Sequence, residues 1–379
     1  MTTRATRVTI DLGAVAHNVR HLLDISSPAG LMAVVKADAY GHGAAEVAKT
    51  ALEAGASWLG VALAEEGVEL QRHVDSAPIL VLSEPSPSEM AVALKASLRI
   101  SLYTEEGVAT ASRLASELGV QGRVHLKVDT GMHRAGVAPE EAVRLATLVE
   151  ESPSLSLEAL WTHFACADDP TDSFTDEQVC RFEQVIEALA REGIEPPLRH
   201  AANSAATLRG VATGYDLVRC GIAMYGLPPS SALADLANDL IPALTFRSEV
   251  AQLRRIRAGE GVSYGLKWRA PSDRWVATVP CGYADGVPRR FGACGGEVLV
   301  GGRRRPVVGV VTMDQLVIDV GEELDVAKGD EVVLIGSQGH ARVTADEWAE
   351  KLGTINYEVV CGITPRVPRE YTSRRAKVE

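Results

Sequence analysis

The 379 residues are 46% hydrophobic, 23% charged and 5% aromatic, the balance of a folded chain of two or three domains and not of a disordered or fibrous one. With 38 Lys and Arg against 50 Asp and Glu the formal net charge is -12, a field that repels phosphate backbones and anionic lipid and so argues against nucleic-acid and membrane partners. The six cysteines (Cys166, Cys180, Cys220, Cys281, Cys294, Cys361) form no C-x-x-C pair, and no long apolar run or leader-like segment occurs, so a cytoplasmic enzyme with no metal site, disulfide framework or membrane span is expected.

RVTIDL at the N-terminus reads as a strand ahead of the first helix. It has no place in the count that follows, and residues 1–10 are expected to pair with the C-terminal half. From Asp11 to about residue 235, short β-branched runs alternate with amphipathic segments. The runs are LMAVVKA (31–37), SWLGVAL (57–63), PILVLSE (78–84), LRISLY (98–103), VHLKVDT (124–130), LEALWTHFA (157–165), LRHAANS (198–204) and LVRCGIAMYG (217–226). Between them AAEVAKTALEAG, TEEGVATASRLASELG and TDEQVCRFEQVIEALAREG have helical spacing. The last opens with Thr175 three before Gln178, a capping-box spacing, and closes at Gly193.

Eight strands separated by helices predict an α/β fold, a parallel (β/α)8 barrel of the TIM type over residues 11–235, although a doubly wound open sheet alternates as well. His125, Lys127 and Asp129 share one parity of the fifth run, three polar side chains turned one way as at the mouth of a barrel lumen. That favours the barrel. After about residue 235 strands and turns take over, with one later helix, TADEWAEKLG, so residues 236–379 form a mainly β C-terminal domain. Arg303, Arg304 and Arg305 follow a Gly301-Gly302 turn and read as the solvated tip of a hairpin.

Barrel enzymes work at the C-terminal ends of their strands. There Lys36 and Tyr40 follow the first strand, Lys127 and Arg134 flank the end of the fifth, His163 ends the sixth, Ser204 ends the seventh, and Arg219 with Gly221 lies in the eighth. Each has an ordinary reading: Lys36 snorkels, Lys127 pairs with Asp129, His163 is a satisfied core histidine, Ser204 caps the next helix. Their convergence favours chemistry. A lysine for a Schiff base, a hydroxyl and backbone amides for a phosphate, and a charged group for a pyridine nitrogen are what a pyridoxal 5'-phosphate site uses. Gly41-His42-Gly43 lacks the third glycine of a dinucleotide fingerprint, and no P-loop or H-E-x-x-H motif occurs.

The motifs AVVKADAYGHG, HLKVDTGMHRAGV, THFACAD, HAANSAAT, VRCGIAMYGL, GEGVSYG, GYADGVPR, VTMDQ and TINYEV occur in this order across both halves. With them the chain resembles the bacterial alanine racemases, a fold-type III pyridoxal-phosphate family. The resemblance implies a homodimer with shared sites that interconverts L- and D-alanine and supplies D-alanine for peptidoglycan. It implies that Lys36 holds the cofactor and moves a proton on one face, and that Tyr264 does so on the other face from the partner subunit. Arg219 would face the pyridine nitrogen and leave it unprotonated, disfavouring transamination and decarboxylation. His163 would hydrogen-bond toward Arg219 and Tyr264.

By the same resemblance Tyr40, Ser204, the N–H groups of Gly221 and Ile222, and Tyr357 would hold the phosphate. Arg134 and the Met313 N–H would take the substrate carboxylate. Lys127 would carry a carbamate that orients Arg134, and Asp168, Tyr283, Arg289 and Asp314 would support the site or line its mouth. Val310 stands where an arginine is usual and Lys267 where a small hydroxyl residue is frequent, which leaves the charge of that mouth and the substrate range open. The closest rival is a broad-specificity or serine-preferring racemase. A decarboxylase of this fold would place an acid where Arg219 stands, and a single-domain pyridoxal-phosphate-binding barrel would lack residues 236–379.

Overall fold

The eight apolar runs form the strands of a closed parallel barrel in a computed structural model that describes residues 4–74 and 77–373. These are β1 (Gly30–Val34), β2 (Trp58–Val61), β3 (Ile79–Val81), β4 (Arg99–Leu102), β5 (Gly122–Lys127), β6 (Leu155–Trp161), β7 (Leu198–Asn203) and β8 (Leu217–Cys220). Closure comes from β1 against β8, with Gly30 opposite Leu217 and Ala33 opposite Cys220. Met32, Trp58, Leu80 and Leu217, with Leu82 and Leu198 against them, form one buried cluster of the barrel. Each such side chain contributes about 1.5–3 kcal/mol by leaving water.

Two β-bulges interrupt the ladder. Between β5 and β6, Val124 faces Leu157 but His125 faces Ala159, so Glu158 is the extra residue. Between β7 and β8, His200 faces Leu217 and Asn203 faces Arg219, so β7 again carries one residue more. Such bulges re-aim side chains.

The helices Ala44–Glu53, Glu105–Leu118 and Phe174–Arg191 occupy the segments with helical spacing. The capping box expected of Thr175 and Gln178 does not form. Ser173 is the N-cap, Thr175 lies inside the first turn with its hydroxyl buried and unpartnered, and Gln178 turns toward the barrel. Gly193, at φ 74°, ends the helix in the left-handed conformation expected of it.

The chain divides into Ala14–Pro242, which holds the barrel, and a second unit of Met1–Gly13 with Ala243–Glu379. The division therefore falls seven residues after the boundary read at 235. In the second unit a sheet of ten strands runs in the order Gln252–Ile256, Arg274–Val279, Leu316–Gly321, Arg303–Val308, Glu297–Val300, Glu331–Gln338, Leu244–Glu249, Arg7–Asp11 and Arg369–Thr372, with Ala341–Val343 added on Glu331–Gln338. Arg7–Ile10 pair antiparallel with Leu244–Arg247, which is where the N-terminal strand finds its partner.

Gly301 and Gly302, at φ 60° and 73°, make the two-residue turn of the expected hairpin. The arginines after it are not simply solvated. Arg303 pairs with Asp325 at 2.8 Å, Arg304 with Glu347 at 2.8 Å, and the largely buried Arg305 with Asp325 at 2.5 Å.

Candidate active site

Within the barrel unit, Lys36 follows the end of β1, and the backbone after it is unusual. Ala37, Asp38, Ala39 and Tyr40 have φ of 51°, 52°, 53° and 56°, one turn of left-handed helix built from ordinary L-residues. Such residues cost roughly 1–2 kcal/mol each, so this turn persists only because its neighbours enforce it. Glu66 is one of them. Its Oε1 accepts the Ala37 N–H at 2.7 Å while its Oε2 accepts the Ala62 N–H at 2.8 Å, tying the turn to the next strand–helix junction. Asp38 accepts the Ala44 N–H at 2.8 Å, and His42 Nδ1 donates to the carbonyls of Ala39 and Tyr40. The Tyr225 ring packs beside those of Tyr40 and His42, and its hydroxyl donates to the Val34 carbonyl at 3.0 Å.

The turn brings the Tyr40 hydroxyl to the loop after β8. An added Cβ on Gly221 would stand 2.5 Å from that oxygen, so only glycine permits the approach. Ser204 does not cap its helix, a task done by Asn203, whose Oδ1 accepts the Ala206 N–H at 3.0 Å. The Ser204 hydroxyl instead receives the N–H groups of Gly221 at 2.9 Å and Ala223 at 3.4 Å. Ile222 lies buried between them.

Arg219 is buried, and its Nη1 donates to His200 Nδ1 at 3.1 Å. Its Nη2 donates to the carbonyls of Thr162 and Ala201, both at 2.9 Å, and to His163 Nδ1 at 3.1 Å. Burial presses the guanidinium down to about 9, which still leaves it charged at neutral pH. His163 is held well below its ordinary value by burial and then by the positive charges of Arg219, Arg134, Lys127 and Lys36. It is therefore neutral, with its proton on Nε2, since Nδ1 is taken by Arg219.

The ordinary reading of Lys127, an ion pair with Asp129, has no counterpart among the ion pairs of the described residues. The Lys127 Nζ lies 4.6 Å from the centre of the Trp161 ring and 6.0 Å from that of Tyr103. Asp129 stands past the end of β5 and accepts the N–H groups of Gly131 at 2.9 Å and His133 at 3.0 Å, so the one-sided polar row read from the sequence breaks there. Arg134 follows in the same loop and is exposed, as is Asp168, whose carbonyl accepts the Ser230 hydroxyl at 2.5 Å.

Burial, then Arg134 and Arg219, pull Lys127 down to about 8 from the usual 10.5, against the pull of Asp129. A lysine so lowered binds fewer protons folded than unfolded between those values, so its part in stability is unfavourable below about 8 and improves as pH rises toward 10.5. In carbon-dioxide-free buffer the urea midpoint of the wild type should therefore gain on that of Lys127→Met across this window. A constant difference between the two would refute the burial of a lowered amine.

Gln178, read from sequence only as part of a helix cap, braces the strand ends. Its Oε1 accepts the Ala165 N–H at 2.8 Å, and its Nε2 donates to Thr130 Oγ1 at 3.0 Å and the His163 carbonyl at 3.1 Å. Glu66 and His200 were missed likewise. His200 opens the HAANS stretch and was the one legible from it.

In the second unit Tyr264 is 72% exposed at a turn between two short paired strands, Gly261–Val262 and Trp268–Arg269. The turn is strained. Ser263 has φ 61° and ψ -171°, a region that favours glycine, and Leu266 has φ 46°. The Ser263 hydroxyl donates to the Val310 carbonyl at 2.6 Å, so the residue that replaces the usual arginine acts here through its backbone. Gly309 must lack a side chain, because a Cβ would meet the Val262 carbonyl at 2.7 Å.

Tyr283 and Met313 lie on two loops laced together, the Tyr283 N–H donating to Thr312 O at 2.9 Å and the Ala284 N–H to Met313 O at 3.0 Å. Arg366 links them to the core, reaching Asp314 at 2.5 Å and the buried Asp285 at 3.4 Å. Arg289 is exposed, Lys267 follows the Tyr264 turn, and Tyr357 is half-buried in the helix Asn356–Cys361. Met313, Ile355, Leu266 and Tyr283 join Tyr264 among the exposed large apolar side chains. Among the described residues no cluster of His, Cys, Asp or Glu could hold a metal ion, and no helix is long and apolar enough to cross a membrane.

Residues 10–229 match the family described as alanine racemase, N-terminal domain, and residues 243–371 match its C-terminal domain. An alanine racemase of Symbiobacterium thermophilum is 48% identical over 373 residues, 98% of each chain. The crystal structure of alanine racemase from Bacillus anthracis with bound L-Ala-P is 40% identical, with a TM-score of 0.92 over 100% of this chain and 98% of that one. A histidine racemase from Leuconostoc mesenteroides shares the architecture at 30% identity and TM-score 0.89, over 98% of this chain and 99% of that one.

Proposed function

The chain belongs to the alanine racemase family of isomerases, and from that membership we propose that it interconverts L- and D-alanine with pyridoxal 5'-phosphate by a two-base route. The residues present fit that cofactor. The Tyr40 hydroxyl lies 2.5 Å from where a Cβ on Gly221 would stand, and the Ser204 hydroxyl receives the Gly221 N–H at 2.9 Å, a set of hydroxyl and amide groups suited to a phosphate. The observation that carries the reading is the buried Arg219 guanidinium, which donates to His163 Nδ1 at 3.1 Å and with Arg134, Lys127 and Lys36 makes the surroundings of that histidine positive. An anionic ligand with two acidic ends is what such surroundings suit.

When bound, the cofactor withdraws electrons from the amino acid and so acidifies the hydrogen on its α carbon. Lys36 would anchor it and move that proton on one face; Tyr264, supplied by a partner subunit, would do so on the other. Arg134 and the Met313 N–H would hold the substrate carboxylate, and Tyr357 and the Ile222 N–H would add to the phosphate contacts. Lys127, lowered to about 8, would be neutral often enough to take up carbon dioxide as a carbamate facing Arg134. Asp168, Tyr283, Arg289 and Asp314 would shape the mouth. The exposed apolar side chains around Tyr264 and Met313 support a homodimer with shared sites. A cytoplasmic enzyme supplying D-alanine for peptidoglycan is the cellular role in keeping with this reading.

A wider amino-acid range is the competing reading, favoured by the histidine racemase of like architecture. One experiment separates them: the cofactor-loaded protein is given single L-amino acids, and the products are resolved by chiral chromatography. Alanine should be racemised with the highest kcat/KM. A faster turnover of serine or histidine would replace the alanine assignment.

A further inference from the structure

A line of polar groups runs through the barrel from Arg219, and the reaction as described uses only its first member. His200 takes the Arg219 N–H on Nδ1 at 3.1 Å, and its Nε2 lies 3.0 Å from His125 Nδ1. His125 Nε2 in turn lies 3.2 Å from Glu158 Oε2. Both imidazoles are fully buried, and burial holds both below their ordinary values, so both are neutral and each has one proton to place.

The two ends decide where those protons sit. A guanidinium only donates, so His200 Nδ1 is bare and its proton is on Nε2, pointing at His125. A carboxylate only accepts, so the His125 proton is on Nε2 and its Nδ1 is bare, ready for that same N–H. Arg219 and Glu158 therefore select one polarity for the whole line. With the opposite polarity, His200 would set an N–H against the guanidinium.

Local structure supports the arrangement at both ends. Glu158 is the extra residue of the β5–β6 bulge, which turns its carboxylate in toward His125. The bulge in β7 presents the Ala201 carbonyl to Arg219. Arg99 at 3.3 Å and Arg123 at 3.7 Å keep Glu158 charged, and His200 is stacked on Trp161 with ring centres 5.4 Å apart.

We propose that Glu158 and His125 are positioning residues of the racemase site: Glu158 fixes the tautomer of His125, whose bare Nδ1 then anchors the His200 Nε2–H and with it the orientation of Arg219. The proposal rests on the reading that Arg219 addresses the cofactor ring. A guanidinium held at a single orientation presents the same face to that ring in every turnover; one whose histidine partner has lost its own anchor does not.

The test uses the full chain labelled with 15N-histidine, read by NMR without and with cofactor. His125 and His200 should each show a protonated Nε2 and a bare Nδ1, assigned by signal loss in His125→Phe and His200→Phe. Glu158→Leu should give His125 mixed tautomers, and Glu158→Gln, whose amide oxygen still accepts, should restore the order. With alanine, Glu158→Leu should lower kcat about tenfold with KM little changed. An unchanged His125 tautomer in a folded Glu158→Leu protein would overturn the proposal. Should that variant not fold, His125→Phe removes the acceptor of the His200 Nε2–H, which should shift that N–H signal, and an unshifted signal there overturns the proposal equally. The NMR result does not depend on turnover, so a wild type that fails to racemise alanine would sink the functional reading and leave the tautomer result standing.

Discussion

Lys36→Ala lowers the racemisation of alanine in both directions by about 10³-fold or more, the size expected when a covalent anchor and a general base are lost together. Nothing nearby can take over. The other amine of the barrel mouth, Lys127, is turned onto the rings of Trp161 and Tyr103. The defect should also be specific to one side chain, because the turn that follows Lys36 is held through the backbone N–H of Ala37 and by Asp38, neither of which the substitution touches. Borohydride reduction of the loaded wild type should fix the cofactor to the peptide containing Lys36 and leave Lys36→Ala unlabelled, as read by peptide mass spectrometry. Added methylamine should return part of the activity. Retention of a tenth or more of the wild-type rate would refute the assignment.

Tyr264→Ala should nearly abolish exchange of the α-hydrogen of L-alanine with solvent deuterium, a loss of about 10²–10⁴-fold, while exchange from D-alanine falls far less. The asymmetry matters more than the size, because a residue that only shaped the site would slow both isomers alike. Phenylalanine at 264 makes a second test that keeps the ring and removes only the hydroxyl. Subunit mixing then asks where the tyrosine acts. If sites are shared, a dimer of one Lys36→Ala chain and one Tyr264→Ala chain has one site with both defects and one with neither. Random mixing should therefore restore about a quarter of the wild-type activity. Confirmed mixed dimers without activity would place Tyr264 in its own subunit's site.

Legibility varied with the range of the interaction that fixes each feature. The eight barrel strands follow from short β-branched runs, each punctuated by a helix with its own periodicity, and those signals are local. The residues at the strand ends were readable because Lys36, Ser204 and Arg219 sit at fixed offsets from those runs. Glu158 was not, because it becomes the extra residue of a bulge only when β6 pairs with β5, and neither strand alone carries that mark. Thr175 and Gln178 had the spacing of a helix cap, yet tertiary contacts took Gln178 to Thr130 and His163. Ala37-Asp38-Ala39-Tyr40 misleads in another way: by propensity it suits a right-handed helix, and only contacts such as that of Glu66 turn it the other way.

That turn has a consequence in stereochemistry. The φ values of Ala37 to Tyr40 are the mirror image of an ordinary helical turn, and a chain of D-residues would adopt them without strain. D-alanine at positions 37 and 39, introduced by chemical ligation, would therefore relieve about 1–2 kcal/mol at each. At this one place, the backbone beside Lys36 would be more stable built from one product of the reaction the chain is proposed to catalyse than from the L-alanine the ribosome supplies.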